Sequence, residues 1–193
     1  MKDIYRGTLV CLSSESPEKL AKSFARWDRD SEFHRLADSD PAQLWSEKKI
    51  RETIEKDMDD NPQAFRFAIR TLAGGKLIGQ VSLWVNSWTH SEAWMGIMIG
   101  EREYWDRGYG TDAVRLILGY GFTELNLRRI SLGLHSYNTR ALKSYEKAGF
   151  IMEGTMRGEI LRDGVRCDSH FMGILREEWM EKTWKEKPAA ASG

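Results

Sequence analysis

The chain has 193 residues, 41% hydrophobic and 30% charged, a size and balance that suit one globular domain with its own core. Its 29 basic and 29 acidic side chains cancel. That argues against a duplex nucleic-acid binder, which carries a basic excess, and against a polybasic membrane anchor.

Residues 7–13 (GTLVCLS) read as a short strand. Ser16-Pro17 starts a helix, with a capping hydroxyl followed by proline at the first helical position. A polar segment, Asp28 to Asp40, follows. Asp40-Pro41 repeats the start signal and predicts a helix carrying Leu44, Ile50, Ile54 and Met58, stopping before Asn61-Pro62. Phe65, Phe67 and Ile69 then alternate with Arg66, Ala68 and Arg70, the period of a strand, and Ala73-Gly74-Gly75 turns the chain. Leu77, Val81, Leu83 and Val85 mark a second strand, and 86–91 is a loop. Residues 93–99 (AWMGIMI) are almost all apolar, which predicts a strand buried on both faces.

Arg107-Gly-Tyr-Gly-Thr111 is a turn into a helix whose Ala113, Val114, Ile117, Tyr120 and Gly121 keep one helical face. Ile130, Leu132 and Leu134 alternate in another strand. Asn138 starts a helix with Ala141, Tyr145 and Ala148 inward, and Gly149 ends it. Arg162-Asp163-Gly164 joins two further strands, and 176–184 is a last short helix. The domain is expected to span 1–187, with 188–193 a disordered or appended tail. There is no repeat, linker or second domain in this pattern.

Two distant cysteines, Cys11 and Cys167, fit a reducing compartment rather than a disulfide framework. With no apolar signal stretch at the start and no run of about 18 apolar residues, the expectation is a cytoplasmic protein without a membrane span. Four scattered histidines lack metal-ligand spacing, so no metal is expected. The eight tryptophans read as core filling.

The sharpest local signal is the buried strand, the glycine turn and the amphipathic helix in succession. Glycines let backbone approach a ligand, and a helix N-terminus offers unpaired N–H groups and partial positive charge. Together they suit a pyrophosphate, with Arg107 as an added cation. Two ligands compete. Gly108-x-Gly110-x-x-Ala113 matches a relaxed dinucleotide fingerprint, the reading of a nicotinamide-dependent oxidoreductase. That fingerprint calls for a carboxylate ending the next strand, and Arg129-Ile-Ser-Leu-Gly-Leu-His135 offers none. The other ligand is coenzyme A.

The second motif, Asn138-x-x-Ala141-x-x-x-Tyr145-x-x-x-Gly149-Phe150, places Asn138 and Tyr145 two turns apart, so both can face one cleft. The two motifs together resemble the GNAT superfamily of N-acetyltransferases, and within it the branch of the ribosomal-protein and spermidine N-acetyltransferases. Gly96 to Thr111 and Tyr120 to Leu127 look especially like that branch, and the strong match covers about 93–150. Trp105 stands where the superfamily often has Gln or Arg. Trp94 stands where many relatives carry Glu, with Glu92 two residues earlier.

The resemblance implies an α+β fold. Its central sheet is mixed and mostly antiparallel, of about six to seven strands, splayed between two central strands and flanked by helices. It implies direct transfer of acetyl from acetyl-CoA, as cosubstrate, to a primary amine in a ternary complex. The amine would belong to a protein N-terminus, a polyamine or a small molecule. Coenzyme A would wedge between strands 93–99 and 129–135. Ile97, Met98 and Ile99 would meet the pantetheine arm, and Arg107, Gly108, Tyr109, Gly110 and Thr111 the pyrophosphate. Trp105, Asn138, Ala141 and Tyr145 would complete the cofactor site. Tyr145 is the candidate acid for the departing thiolate. Among Glu92, His90, His135, Glu159 and His170, Glu92 is favoured as base because a period of two puts it on the face of Trp94. A catalytically idle acyl-CoA-binding module is the alternative, and a homodimer through the final strands is compatible with the pattern.

Overall fold

The computed structural model describes residues 3–185, so the tail expected at 188–193 lies outside it. The chain runs β1 (Val10–Ser13), α1 (Pro17–Trp27), α2 (Ser31–Ala37), α3 (Glu47–Asp60), β2 (Ala64–Thr71), β3 (Leu77–Ser87) and β4 (Glu92–Ile99). A 3-10 turn (Arg102–Tyr104) leads to α4 (Tyr109–Thr123), β5 (Arg129–His135), α5 (Thr139–Ala148), β6 (Ile151–Arg162), β7 (Val165–Leu175) and α6 (Arg176–Lys185). No helix among the described residues is long and apolar enough to cross a membrane.

The seven strands form one sheet in the order β1-β2-β3-β4-β5-β7-β6. Every pairing is antiparallel except β4 with β5. That pairing lasts only three residues, Glu92 with Arg129, Ala93 with Ile130 and Trp94 with Ser131. Beyond Trp94 the two strands part. β4 remains paired to β3 as far as Ile99, while β5 follows β7 as far as His135. A sheet opened at its parallel seam is the mostly antiparallel, splayed fold expected, and it is unlike a doubly wound dinucleotide domain.

The core lies between one sheet face and α4. Val81, Leu83, Ile130, Leu132, Met172 and Ile174 of the strands and Val114, Ile117, Leu118 and Phe122 of α4 are all at most 1% exposed. The amphipathic pattern of α4 is therefore its packing pattern.

Five expectations need correction. Residues 7–9 are not strand. They curl around the Asp112 carboxylate, which accepts from the N–H of Thr8 (3.0 Å), Leu9 (2.8 Å) and Val10 (3.0 Å) and from the Thr8 hydroxyl (3.1 Å). The polar segment hides α2, capped by Asp30 through the N–H groups of Glu32 and Phe33. The next helix begins at Glu47, not Pro41. Ser46 caps it by accepting from Lys49 N–H at 3.2 Å, and Leu44 is left outside, 78% exposed. Finally, β4 is not buried on both faces: Ala93 and Met95 are buried, but Trp94 is 40% exposed. The tryptophans are likewise mostly not core. Trp27 is buried, whereas Trp45, Trp84, Trp88 and Trp94 are all exposed.

Candidate active site

A cavity of about 590 Å³ fills the gap where β4 and β5 part. Met95, Ile97, Met98 and Ile99 line one lip, and Gly133, Leu134 and His135 the other. α4 and α5 meet across one end. There Gly108, Gly110 and Thr111 face Lys143, Ser144 and Lys147, and the Thr111 and Ser144 hydroxyls sit 2.9 Å apart.

The geometry of the glycine turn follows from its residues. Gly108 adopts φ +86°, a left-handed conformation that costs a glycine little, and from it the chain enters α4. The first helical bond runs from Asp112 N–H to the Gly108 carbonyl at 2.9 Å. The N–H groups of Tyr109, Gly110 and Thr111 therefore lack helical acceptors at the positive end of the helix dipole. The loop before the turn is tied down by Trp105, whose indole N–H donates to the Ile99 carbonyl at 2.7 Å. The Arg140 guanidinium stacks on the Trp105 ring, 3.7 Å from its centroid.

Of the residues singled out from sequence, Ile97, Met98, Ile99, Trp105, Gly108 and Gly110 line the cavity, and so do Thr111, Asn138, Ala141 and Tyr145. Arg107 and Tyr109 do not. Arg107 is exposed outside it, and Tyr109 packs edge-on against Tyr104 at 4.8 Å. The cations at the cavity are instead Arg140, Lys143 and Lys147 of α5, spaced i, i+3 and i+7 on one helical face. That spacing was present in the sequence, but a basic stripe on a helix ordinarily marks a solvated face. Asn138 caps α5 by accepting from Ala141 N–H at 3.1 Å, and its amide donates to the Leu36 carbonyl at 3.1 Å. It thereby fixes α2 to the cavity rim.

Tyr145 is 7% exposed, packed edge-on against Phe150, with burial raising its phenol to about 12. It is protonated across the whole physiological range. Glu92 does not reach the cavity. It stands at the far end of β4, where its carboxylate accepts from the Asn86 amide at 2.9 Å. Asp38, His135 and Glu159 are among the titratable groups that line the cavity away from the glycine turn. Burial holds the His135 imidazole below its ordinary value, and its ring stacks on Tyr137. Its Nδ1 is buried without a protein partner.

Glu159 is brought in by a bulge in β6. Pairing passes from Met156 with Ser169 directly to Ile160 with Cys167, so three residues of β6 oppose Asp168 alone. Gly158, at φ +64°, donates its N–H to the Asp168 carboxylate at 2.8 Å and fixes the bulge. No periodicity argument could have located it.

Residues 10–151 match the family model described as "Acetyltransferase (GNAT) domain". Among curated proteins, the chain is 33% identical over 131 residues to "Probable N-acetyltransferase YjcK" of Bacillus subtilis, covering 67% of this chain and 69% of that one. It is 30% identical over 135 residues to a spermidine N(1)-acetyltransferase of Vibrio cholerae, covering 70% and 76%. Among solved structures, a spermidine N-acetyltransferase from Vibrio cholerae in complex with CoA and spermine shares the fold. Its TM-score is 0.77 at 24% identity, over 89% of this chain and 98% of that one.

Proposed function

The chain belongs to the GNAT family of acetyltransferases and moves an acetyl group onto an amine; we propose that its donor is acetyl-coenzyme A, held in the β4–β5 cleft. The observation that carries this reading is the parting of β4 from β5 beside the uncapped N-terminus of α4. The diphosphate lies on the N–H groups of residues 108–111, with Lys143 and Lys147 beside it. The pantetheine arm runs along Ile97 to Ile99, where strand backbone without a β5 partner pairs with its amides. One such N–H polarises the thioester carbonyl and stabilises the tetrahedral oxyanion, a contact worth about 3–4 kcal/mol in comparable enzymes.

The amine must attack as the neutral base and the sulfur must leave as a thiol or a stabilised thiolate. We place His135 as the acceptor of the amine proton, directly or through one water. It lines the cavity, and burial keeps its imidazole neutral at pH 7, the form a base needs. Glu92, the base favoured from sequence, has no such access. Tyr145 serves the leaving group. A phenol raised to about 12 is a weaker acid than a thiol of about 8.5, so its service is a hydrogen bond to the developing thiolate rather than full proton transfer. The amine proton goes to His135, the C–N bond forms, the C–S bond breaks, and the sulfur takes its proton from solvent.

The test is thiol release from acetyl-CoA in the presence of an amine panel, paired with calorimetric binding of CoA. Binding with thiol release from at least one amine is the expected result. Binding without release from any amine would mark the chain as a catalytically idle acyl-CoA module.

A further inference from the structure

Strand register places Trp84, Trp94 and Phe171 on one sheet face. Trp84 pairs directly with Trp94, Trp94 with Ser131, and Gly133, two residues on, with Phe171. This is the face opposite α4, and its two tryptophans are not covered: Trp84 is 38% and Trp94 40% exposed.

The rings lean over glycines at the two lips of the cleft. A Cβ at Gly96 would meet the Trp84 ring at 2.9 Å, so that ring lies over β4 where only glycine fits. A Cβ at Gly133 would stand 3.7 Å from the Trp94 ring and 3.6 Å from Phe171. Trp94 and Phe171 meet edge-on at 6.0 Å. Gly96, Gly133 and Phe171 also line the cavity, so this aromatic trough is continuous with the place where the thioester is proposed to lie. Exposed Ile151 and Met156 of β6, opposite Gly173 and Ser169, extend it.

Its carboxylates are few. Glu153, on the adjoining edge strand, is paired with Arg129 and hydrogen-bonded at 2.9 Å, and Glu92 is bound to Asn86. A polyamine would need a row of carboxylates for its second and third ammonium groups; among the described residues this face offers only Glu92 and the paired Glu153, with Asp38 and Glu159 in the adjoining cavity, so the aromatic rings are its dominant feature. Half-exposed aromatic rings beside the bare backbone of Gly133 suit a flat apolar body.

We infer that the acceptor is a primary amine on a short arm from an aromatic body, with the ring seated in the Trp84–Trp94–Phe171 trough and the amine reaching the cleft over Gly133. This rests on the transfer reading above and names its substrate class.

The experiment measures kcat/KM at saturating acetyl-CoA for phenethylamine, propylamine, spermidine and putrescine, in the native chain and in Trp94→Ala and Gly133→Ala. The aromatic amine exceeds propylamine by about tenfold, the scale of one well-seated ring. In each variant that ratio falls at least about fivefold, since one loses a wall of the trough and the other fills its slot. The CoA-induced thermal shift is retained in both as the control for folding. Gly133→Ala is the variant that keeps the test sharp, because its added Cβ meets only ordinary contacts.

A polyamine turned over better than the aromatic amine would overturn the proposal while leaving acetyl transfer intact. So would a ratio unmoved by both substitutions. An altered sedimentation of Trp94→Ala with an unmoved ratio would assign the trough to a second copy of the chain instead. Thiol release from no amine would refute the transfer reading itself.

Discussion

Replacing Gly110 by alanine separates the stability of the fold from the hold on coenzyme A. A Cβ built at Gly110 stands 3.9 Å from Ile99 Cγ1 and 3.9 Å from the Ser144 Oγ, both ordinary van der Waals separations, so the protein has room for it. Gly110 lies in the first turn of α4 without a left-handed φ, and alanine there restricts the unfolded chain, a gain of about 0.4–1 kcal/mol. For a chain of this size that raises Tm by about 1–4 °C. The same methyl projects among residues that line the cavity, where the diphosphate is proposed to lie. Displacing it forfeits one or two charge-assisted hydrogen bonds of about 1.5–3 kcal/mol each. A loss of about 3 kcal/mol weakens binding about a hundredfold. Differential scanning fluorimetry reads both effects. At acetyl-CoA about one hundred times the native Kd, native protein gains about 2.7 kcal/mol, whereas the variant gains only about 0.4 kcal/mol. A variant that is as stable as the native chain and binds acetyl-CoA with native affinity would refute the placement of the diphosphate at this turn.

Tyr145→Phe removes the hydroxyl from the leaving group and should lower kcat by about a hundredfold, with the Kd for CoA changed less than about twofold; steady-state kinetics with calorimetry separates the two. His135→Gln should alter the pH profile of kcat/KM. The imidazole must be neutral to act, and its value lies below 6.5, so the native rate gains a second downward break only on the acid side of pH 6.5, and the variant lacks that break. An unchanged profile would remove His135 from the mechanism. Asp112→Ala leaves three backbone N–H groups and a hydroxyl without their acceptor, and should cost about 3 kcal/mol or more, lowering Tm by on the order of 10 °C. Asp112→Asn, which keeps one carbonyl oxygen, should recover part of that in the same thermal scan.

That Gly108, Gly110, Asn138 and Tyr145 would line one cavity was legible because its parts are local. Gly108, Gly110 and the following helix lie within one short stretch, and Asn138 and Tyr145 are separated by two helical turns, so spacing alone puts each set together. How the other end of the cavity comes together was not, although His135 and Glu159 were among the base candidates, because it is assembled from distant segments. His135 comes from β5, Asp38 from the end of an unforeseen helix, and Glu159 from a bulge held by Asp168 across a strand pair. Glu92 was misplaced for a related reason. Strand periodicity gives the face of a residue but not which end of the seam opens, and β4 and β5 are paired at the Glu92 end. Trp94 exposes the limit of reading apolar runs. Residues 93–99 look like a doubly buried strand, yet their outer face carries an open aromatic surface. The helix start placed at Pro41 failed because two capping signals lay six residues apart, and Ser46 prevailed over Asp40.

The central claim is that the thioester lies in the opened seam of the sheet with its diphosphate on the first turn of α4. A crystal structure of the complex with acetyl-CoA tests it directly. Diphosphate oxygens within about 3 Å of the N–H groups of residues 108–111, with the sulfur beside Tyr145, are the expected result. A complex in which β4 and β5 are paired through to Ile99, or in which the diphosphate rests on any other element, would contradict it.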